Sequence, residues 1–272
     1  MEVFGKRVDG YHALRSVVVP ISLSDTIEIS PCEGGAVESD TGYPDDLCVK
    51  AARVLGCGGV LFHVEKRIPA GGGLGGGSAD AAAAMWALNE TRSLGLSAEE
   101  LAKAGDLVGS DVPALVLSRA CGPVLMEGRG EEVRPLAAKP PHSLFASPLH
   151  LVLVNPGVFS STPEVFRAAS PRLSDDPSIL YNIKTALESG DVGRIAAALV
   201  NDLQEPAERL HPEIAEARRA LADAGAAGAT MSGSGSTVFG LVPDEARGRE
   251  IAALLRAKGY RAWSVDTACP VV

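Results

Sequence analysis

Pro69-Ala70-Gly71-Gly72-Gly73-Leu74-Gly75-Gly76-Gly77-Ser78 is the stretch on which the reading of this chain turns. Five of the six residues from Gly71 to Gly76 are glycine, and Gly77 follows. Such residues let backbone N–H groups approach an anion without interference from Cβ atoms. The alanine-rich run from Ser78 to Asn89 has high helix propensity. A helix starting there adds its positive end to the loop. Pro69, Gly71, Gly72, Gly73, Leu74, Gly75, Gly76, Gly77 and Ser78 are therefore the expected phosphate-binding residues.

Two other phosphate-loop motifs and a plain turn compete for this stretch. A Walker A loop ends in Gly-Lys-Ser/Thr, whereas Gly77-Ser78 has no Lys before the Ser. Gly71, Gly73 and Gly76 match the spacing of a dinucleotide fingerprint. That fingerprint also needs a following strand closed by an acidic residue, and Leu94 to Leu107 has helical character instead. A plain linker or tight turn is seldom so dense in glycine and followed at once by a strong helix. Asp80, in the first helical turn, suits the helix dipole and by itself proves nothing.

Working outward, Val60 to Lys66 is a short strand leading into the loop. Leu47 to Leu55 has helical spacing and stops at Gly56. Gly34 to Asp46 is polar and is expected to be loop, and residues 14 to 30 to form strands around a turn at Ser24-Asp25. Downstream, Ser97-Ala98-Glu99-Glu100 has the capping-box pattern, Gly109-Ser110-Asp111-Val112-Pro113 interrupts that helix, and Gly122 to Glu127 is a strand. Composition shifts at Ala137 to Pro148, which carries Lys139-Pro140-Pro141 and Ser147-Pro148. A boundary there divides the chain into residues 1–145 and 146–272.

In the second part, Leu149 to Asn155 is a buried-strand candidate. Pro212 to Ala224 is a helix with apolar Ile214, Ala217 and Leu221, ending at Gly225. Ala229 to Ser232 and Ser236 to Val242 pair about Gly233-Ser234-Gly235, followed by a helix from Asp244 to Lys258 and a strand from Tyr260 to Val265. That order is a split β-α-β unit of ferredoxin-like type with extra helices inserted.

Composition limits the function classes. The chain has 272 residues, 25 basic and 34 acidic, for a formal charge of −9, and no basic run stands out. A nucleic-acid partner held by a basic face is not expected. Cys32, Cys48, Cys57, Cys121 and Cys269 form no Cys-x-x-Cys pair, so reduced thiols in the cytoplasm are expected. The N-terminus has no apolar signal core, and no apolar run reaches the ~20 residues of a membrane helix. His63, His142, His150 and His211 show no ligand spacing, and no dedicated metal cluster is visible.

The loop and the residues after it, Pro69 through Ala82, resemble the central motif of the GHMP kinases (galacto-, homoserine, mevalonate and phosphomevalonate kinases). The triple glycine with Ser78-Ala79-Asp80-Ala81-Ala82 resembles the branch whose alcohol substrate carries a cytidine diphosphate. Asp9-Gly10-Tyr11-His12, Gly109-Ser110-Asp111-Val112-Pro113 with Glu127-Gly128-Arg129-Gly130, and Met231-Ser232-Gly233-Ser234-Gly235 agree with it, in order along the chain. The resemblance implies an α+β, two-lobed fold: an N-terminal lobe like ribosomal protein S5 domain 2, a ferredoxin-like C-terminal lobe, and the site between them. It implies ATP with Mg²⁺ and phosphoryl transfer to a hydroxyl of a small molecule.

Carried over residue by residue, Asp111 is the general base, and the bland account of it is a helix or turn cap. Tyr11 and His12 contact the cytidine end, with Phe166 as the opposite aromatic face or else a core residue. Gly233 and Ser234 lie near the phosphates or substrate diphosphate, or simply form a hairpin turn. Ser232 is a second hydroxyl donor there, and Ser78 is the oxygen nearest the metal. Asn201-Asp202 also matches a family segment, with capping as the simpler account.

One departure stands out. The family begins with a strand carrying Pro-Ala-Lys-x-Asn, whereas Met1-Glu2-Val3 stands where that strand would end, and Lys6 is expected to lie beyond it. The expectation is a start placed too late; the alternative is a homologue without that Lys, slow or inactive. Another GHMP small-molecule kinase and a dinucleotide-dependent oxidoreductase are the remaining readings.

Overall fold

Strand and helix signals close to the glycine loop become elements at nearly the expected positions. The computed structural model describes residues 1–43, 45–136, 147–172 and 176–268. Its first part runs β1 (Glu2–Lys6), β2 (His12–Val18), β3 (Thr26–Pro31), β4 (Val37–Ser39), α1 (Leu47–Val54), β5 (Val60–Glu65), α2 (Gly76–Thr91), α3 (Ala98–Gly105), α4 (Val112–Cys121), β6 (Val124–Gly128) and β7 (Glu132–Pro135). α1 begins where the Asp46 carboxylate accepts the N–H groups of Cys48 and Val49. At α3 both halves of the expected capping box form between Ser97 and Glu100.

Two sheets share this lobe, ordered β1-β2-β6-β7 and β3-β5-β4. This corrects the reading of residues 14 to 30 as strands about one turn. β2 pairs with β1 and β6, while β3 pairs with β5. Between them the chain leaves the lobe: Ile21 bridges Thr267, and Ser22 donates its N–H to the carbonyl of Asp266. Alternating apolar residues report a half-buried strand but not its sheet. β4, inside the segment expected to be loop, and β7 were not expected; both are short, of three and four residues, and each carries a charged side chain.

The lobe's core forms where α2 meets α4. Ala81, Ala82 and Met85 pack with Val112, Ala114 and Val116, backed by Leu101 of α3 and Val124 of β6. Alanines on α2 let the helices approach closely. Met85 and Leu88 are fully buried, each contributing about 1.5–3 kcal/mol. Close packing so near Gly76 anchors the exit of the loop.

The second part contains β8 (His150–Asn155), α5 (Thr162–Ala168), α6 (Pro177–Ser189), α7 (Val192–Ala198), α8 (Gln204–Leu210), α9 (Pro212–Asp223), β9 (Ala227–Met231), β10 (Val238–Val242), α10 (Glu245–Ala257) and β11 (Arg261–Asp266). The sheet order β11-β8-β10-β9 is antiparallel throughout, the ferredoxin-like order expected. Ile214, Ala217 and Leu221 form the buried stripe of α9 against Val152, Val154 and Val238. α5 to α8 are the inserted helices. A further core joins the parts: Leu125 of β6 packs with Leu151 and Leu153 of β8, Leu187 of α6 and Ile195 of α7. Of the expected boundary at 137–148, residues 137–146 lie outside the described residues.

Candidate active site

The glycine loop is held by contacts from both lobes. α2 begins at Gly76, two residues before the expected start at Ser78, because Gly75 turns left-handed (φ 66°, ψ 22°) and acts as its N-cap. Gly76, Gly77 and Ser78 are thus the first helical residues, and first-turn N–H groups have no partner within a helix. Gly73 has φ 70° and lies back to back with the C-terminal lobe, where a Cβ would fall 2.2 Å from the carbonyl oxygen of Ser232. Its own carbonyl accepts the Ser232 hydroxyl at 2.9 Å, and the carbonyl of Gly72 accepts the N–H of Thr237 at 3.0 Å.

Three charged side chains that the sequence reading did not assign to the site brace this loop. Lys66, just past β5, places its ammonium 2.5 Å from Asp25 and 2.6 Å from Asp80. Asp25 also accepts the N–H groups of Arg67 and Ile68. Asp80 is therefore an ion-pair partner and not merely a dipole-matched residue. Burial pushes its carboxyl up to about 6; Lys66 opposes the rise and the Asp25 charge adds to it. Burial pushes Asp25 the same way, but Lys66 and the two N–H groups hold it below the ordinary range. An Asp in the first turn and a Lys ending the preceding strand were the only sequence signals of this arrangement.

Asp111 precedes α4 without capping it: its side chain accepts no hydrogen bond from the helix. Pro113 supplies the helix start instead. The carboxylate keeps an opening to the cleft, and the nearest polar contact is the Ser110 hydroxyl at 3.4 Å. Protein crowding around the group raises its pKa above the ordinary carboxylate value, with Ser110 a lesser, opposing influence.

The imidazole of His12, at the start of β2, stacks on Phe166 of α5, with centroids 5.7 Å apart and planes 28° apart. Burial and the nearby Lys6 lower the His12 pKa. Phe166 also touches core residues, so it packs and faces the cleft at once. Tyr11 is exposed, with the Arg129 guanidinium 5.7 Å from its ring centre; Arg129 is held by Asp106 at 2.6 Å. Lys6 closes β1 rather than following it and lines the same cleft.

One cavity of about 830 Å³ gathers these groups: Tyr11, His12, the loop from Pro69 to Ser78, Asp111, Phe166 and Ser234. The Ser234 hydroxyl pairs with that of Thr162 at 2.7 Å. Gly233 is absent from this lining and lies instead on an adjoining cavity of about 750 Å³, behind Gly73. Ser232, expected to offer its hydroxyl to a phosphate, has committed it to the Gly73 carbonyl. His142 lies outside the described residues; of the other histidines, His63 pairs with Asp40, His150 with Asp266, and His211 Nε2 is buried with no partner among the described residues.

Among the described residues no three His, Cys, Asp or Glu side chains cluster as a metal site. The Ser78 hydroxyl has no protein partner among them. That donor set fits an ion carried by phosphate oxygens better than an all-protein cage. Also among them, no helix is long and apolar enough to cross a membrane, and Cys32, Cys48, Cys57 and Cys121 are free thiols.

Comparison with known proteins agrees with this geometry. Residues 46–119 match the family model of the GHMP kinases N-terminal domain, and residues 183–261 match that of the GHMP kinases C-terminal domain. The 4-diphosphocytidyl-2-C-methyl-D-erythritol kinase of Pelotomaculum thermopropionicum is 41% identical, over 94% of this chain and 90% of that protein. The kinase of the same name from Symbiobacterium thermophilum is 38% identical, over 98% and 95%. A crystal structure of 4-(cytidine 5'-diphospho)-2C-methyl-D-erythritol kinase superposes with a TM-score of 0.80 at 34% identity, covering 98% of this chain and 95% of that one. Homoserine kinase from Cytophaga hutchinsonii, at 16% identity and a TM-score of 0.70, shares the fold. With the glycine loop, the Asp111 cleft and these full-length likenesses together, the chain belongs to the GHMP kinase family, in its 4-diphosphocytidyl-2-C-methyl-D-erythritol kinase branch.

Proposed function

We propose that this cleft transfers the γ-phosphoryl group of ATP to the 2-hydroxyl of 4-diphosphocytidyl-2-C-methyl-D-erythritol. The products are the 2-phosphate and ADP, a step of the non-mevalonate route to isoprenoid precursors. The observation that carries the reading is Asp111: an uncapped carboxylate opening into the cavity shared by the glycine loop and the His12–Phe166 stack.

Phosphoryl transfer relies mainly on positioning and electrostatics. The loop amides from Gly73 to Ser78, together with the N-terminus of α2, receive the phosphates. Tyr11, His12 and Phe166 hold the pyrimidine, and Ser234 stands beside the diphosphate. Asp111 accepts the proton of the 2-hydroxyl as its oxygen forms the new bond to phosphorus and the bond to ADP breaks. Its raised pKa makes it a better base than an ordinary carboxylate. Mg²⁺ bound with ATP neutralises phosphate charge; Ser78 is the residue that would hold it.

Residues 1–145 act as the ATP-binding lobe and residues 146–272 as its partner, in a cytoplasmic enzyme of small molecules. The test is incubation with ATP, Mg²⁺ and 4-diphosphocytidyl-2-C-methyl-D-erythritol while ADP is followed, with homoserine and mevalonate as competing acceptors. Release of ADP only with the cytidine compound supports the reading. Binding of ATP without turnover of any acceptor would sink it.

A further inference from the structure

Asn201 is absent from the cavity lined by Tyr11, His12 and Phe166 and borders the adjoining one with Asp111 and Gly73, and its side chain is committed three ways. Its Nδ2 donates to the carbonyls of Met231 at 2.8 Å and Gly233 at 2.9 Å. Its Oδ1 accepts the N–H of Leu203 at 3.0 Å. Close by, Gln204 Oε1 accepts the N–H of Met231 at 3.1 Å. The sheet explains this grip. β9 is an edge strand, and an edge leaves N–H and C=O groups without a neighbour. At Met231 two side-chain amides stand where another strand would pair.

The turn after Met231 touches the phosphate loop. The Ser232 hydroxyl binds the carbonyl of Gly73, and the Thr237 N–H binds that of Gly72. Peptide units are planar and trans, so the next N–H points opposite to each held carbonyl. The N–H groups of Gly73 and Leu74 are thereby aimed away from the turn. Among the described residues neither meets a protein acceptor.

We infer that Asn201 is a positioning residue for ATP: by holding the carbonyls on both sides of Ser232, it fixes the hydroxyl that holds the Gly73 carbonyl and hence aims the N–H of Leu74 at the phosphates. This rests on the ATP role proposed for the loop. It also gives the Asn201-Asp202 segment a task beyond helix capping. Asp202 has a separate one, since its carboxylate pairs with Arg172 and accepts the N–H of Val3.

The test compares Asn201→Asp, Ser232→Ala and the double variant by steady-state kinetics and by calorimetric ATP binding. Asn201→Asp keeps the acceptor for Leu203 but sets a carboxylate against two carbonyl oxygens. The expected result is a rise of about tenfold in both KM and Kd for ATP, the size of one lost hydrogen bond. The KM for the cytidine substrate stays at the wild-type value. Ser232→Ala gives the same split, and the double variant is no weaker than the worse single one, because both act through one contact.

Unchanged ATP affinity in the single variants, additive losses in the double, or an equal rise in both KM values would overturn the inference. Should Asn201→Asp fail to fold, Ser232→Ala decides alone, and unchanged ATP affinity there overturns it. Calorimetry needs no turnover. Wild-type protein that binds ATP without phosphorylating the acceptor therefore sinks only the proposed reaction.

Discussion

The ammonium of Lys66 lies 2.6 Å from the carboxylate of Asp80, tying the segment that enters the glycine loop to the helix that leaves it. Asp25 completes the set, so two carboxylates share one cation beside the glycine loop. Burial answers part of that conflict by raising Asp80 to about 6.

A stability consequence follows from the sign of that shift. The folded-state pKa of Asp80 lies above the ordinary carboxylate value of 3.8, so the folded chain binds this proton more tightly. The contribution is fully present below 3.8 and is lost as pH rises through about 6. Asp80→Asn cannot titrate. The melting temperature of the variant should gain on wild type by about 3 °C between pH 4 and 6.5 and then stay level. A difference that does not change with pH would show that Asp80 has an ordinary pKa.

Asp111→Asn preserves shape and removes the base. Turnover should fall by about 10²–10⁴-fold with ATP affinity unchanged. In wild type the acid limb of kcat/KM should sit above the ordinary carboxylate pKa, since crowding raises Asp111 and only its ionised form accepts a proton. A near-normal rate in Asp111→Asn would exclude it as the base.

The stacked pair is separable from the glycine loop. Phe166→Leu keeps an apolar side chain against the core and removes the ring beside His12. The KM for the cytidine substrate should rise about tenfold, the scale of base–aromatic stacking, while the KM for ATP holds. Parallel changes in both constants would mean that Phe166 serves packing alone.

Two glycines of the loop should behave oppositely. At Gly73, φ is 70° and a Cβ would lie 2.2 Å from the Ser232 carbonyl oxygen and 2.7 Å from that of Gly235. Gly73→Ala must push the lobes apart and should cost about 3 kcal/mol or more in unfolding free energy. At Gly77 the nearest atom to a Cβ is Leu47 Cδ1 at 3.7 Å, so Gly77→Ala should leave stability within about 0.5 kcal/mol. Denaturant unfolding of both variants checks the contrast, and equal stability would count against the back-to-back packing at Gly73.

Features legible in the chain alone are local and periodic. The glycine loop with its alanine helix, the capping box at Ser97, the buried stripe of α9, and the strand pattern of the ferredoxin-like sheet are all of this kind. Each depends on hydrogen bonds and side-chain directions repeating over a few residues, so neighbours along the chain suffice.

Only the tertiary structure decided which distant groups meet. Lys66 reaches Asp25 across 41 positions, and Ser232 reaches Gly73 across 159. The sheet order that sends β2 and β3 apart has no periodic signature either. The freedom of the Asp111 carboxylate is of the same kind. Ser-Asp-x-Pro suits a cap, and only the packing around Ser110 and Pro113 leaves that side chain facing the cleft. Contacts of this sort arise from the summed burial of whole elements, so no short window of residues records them.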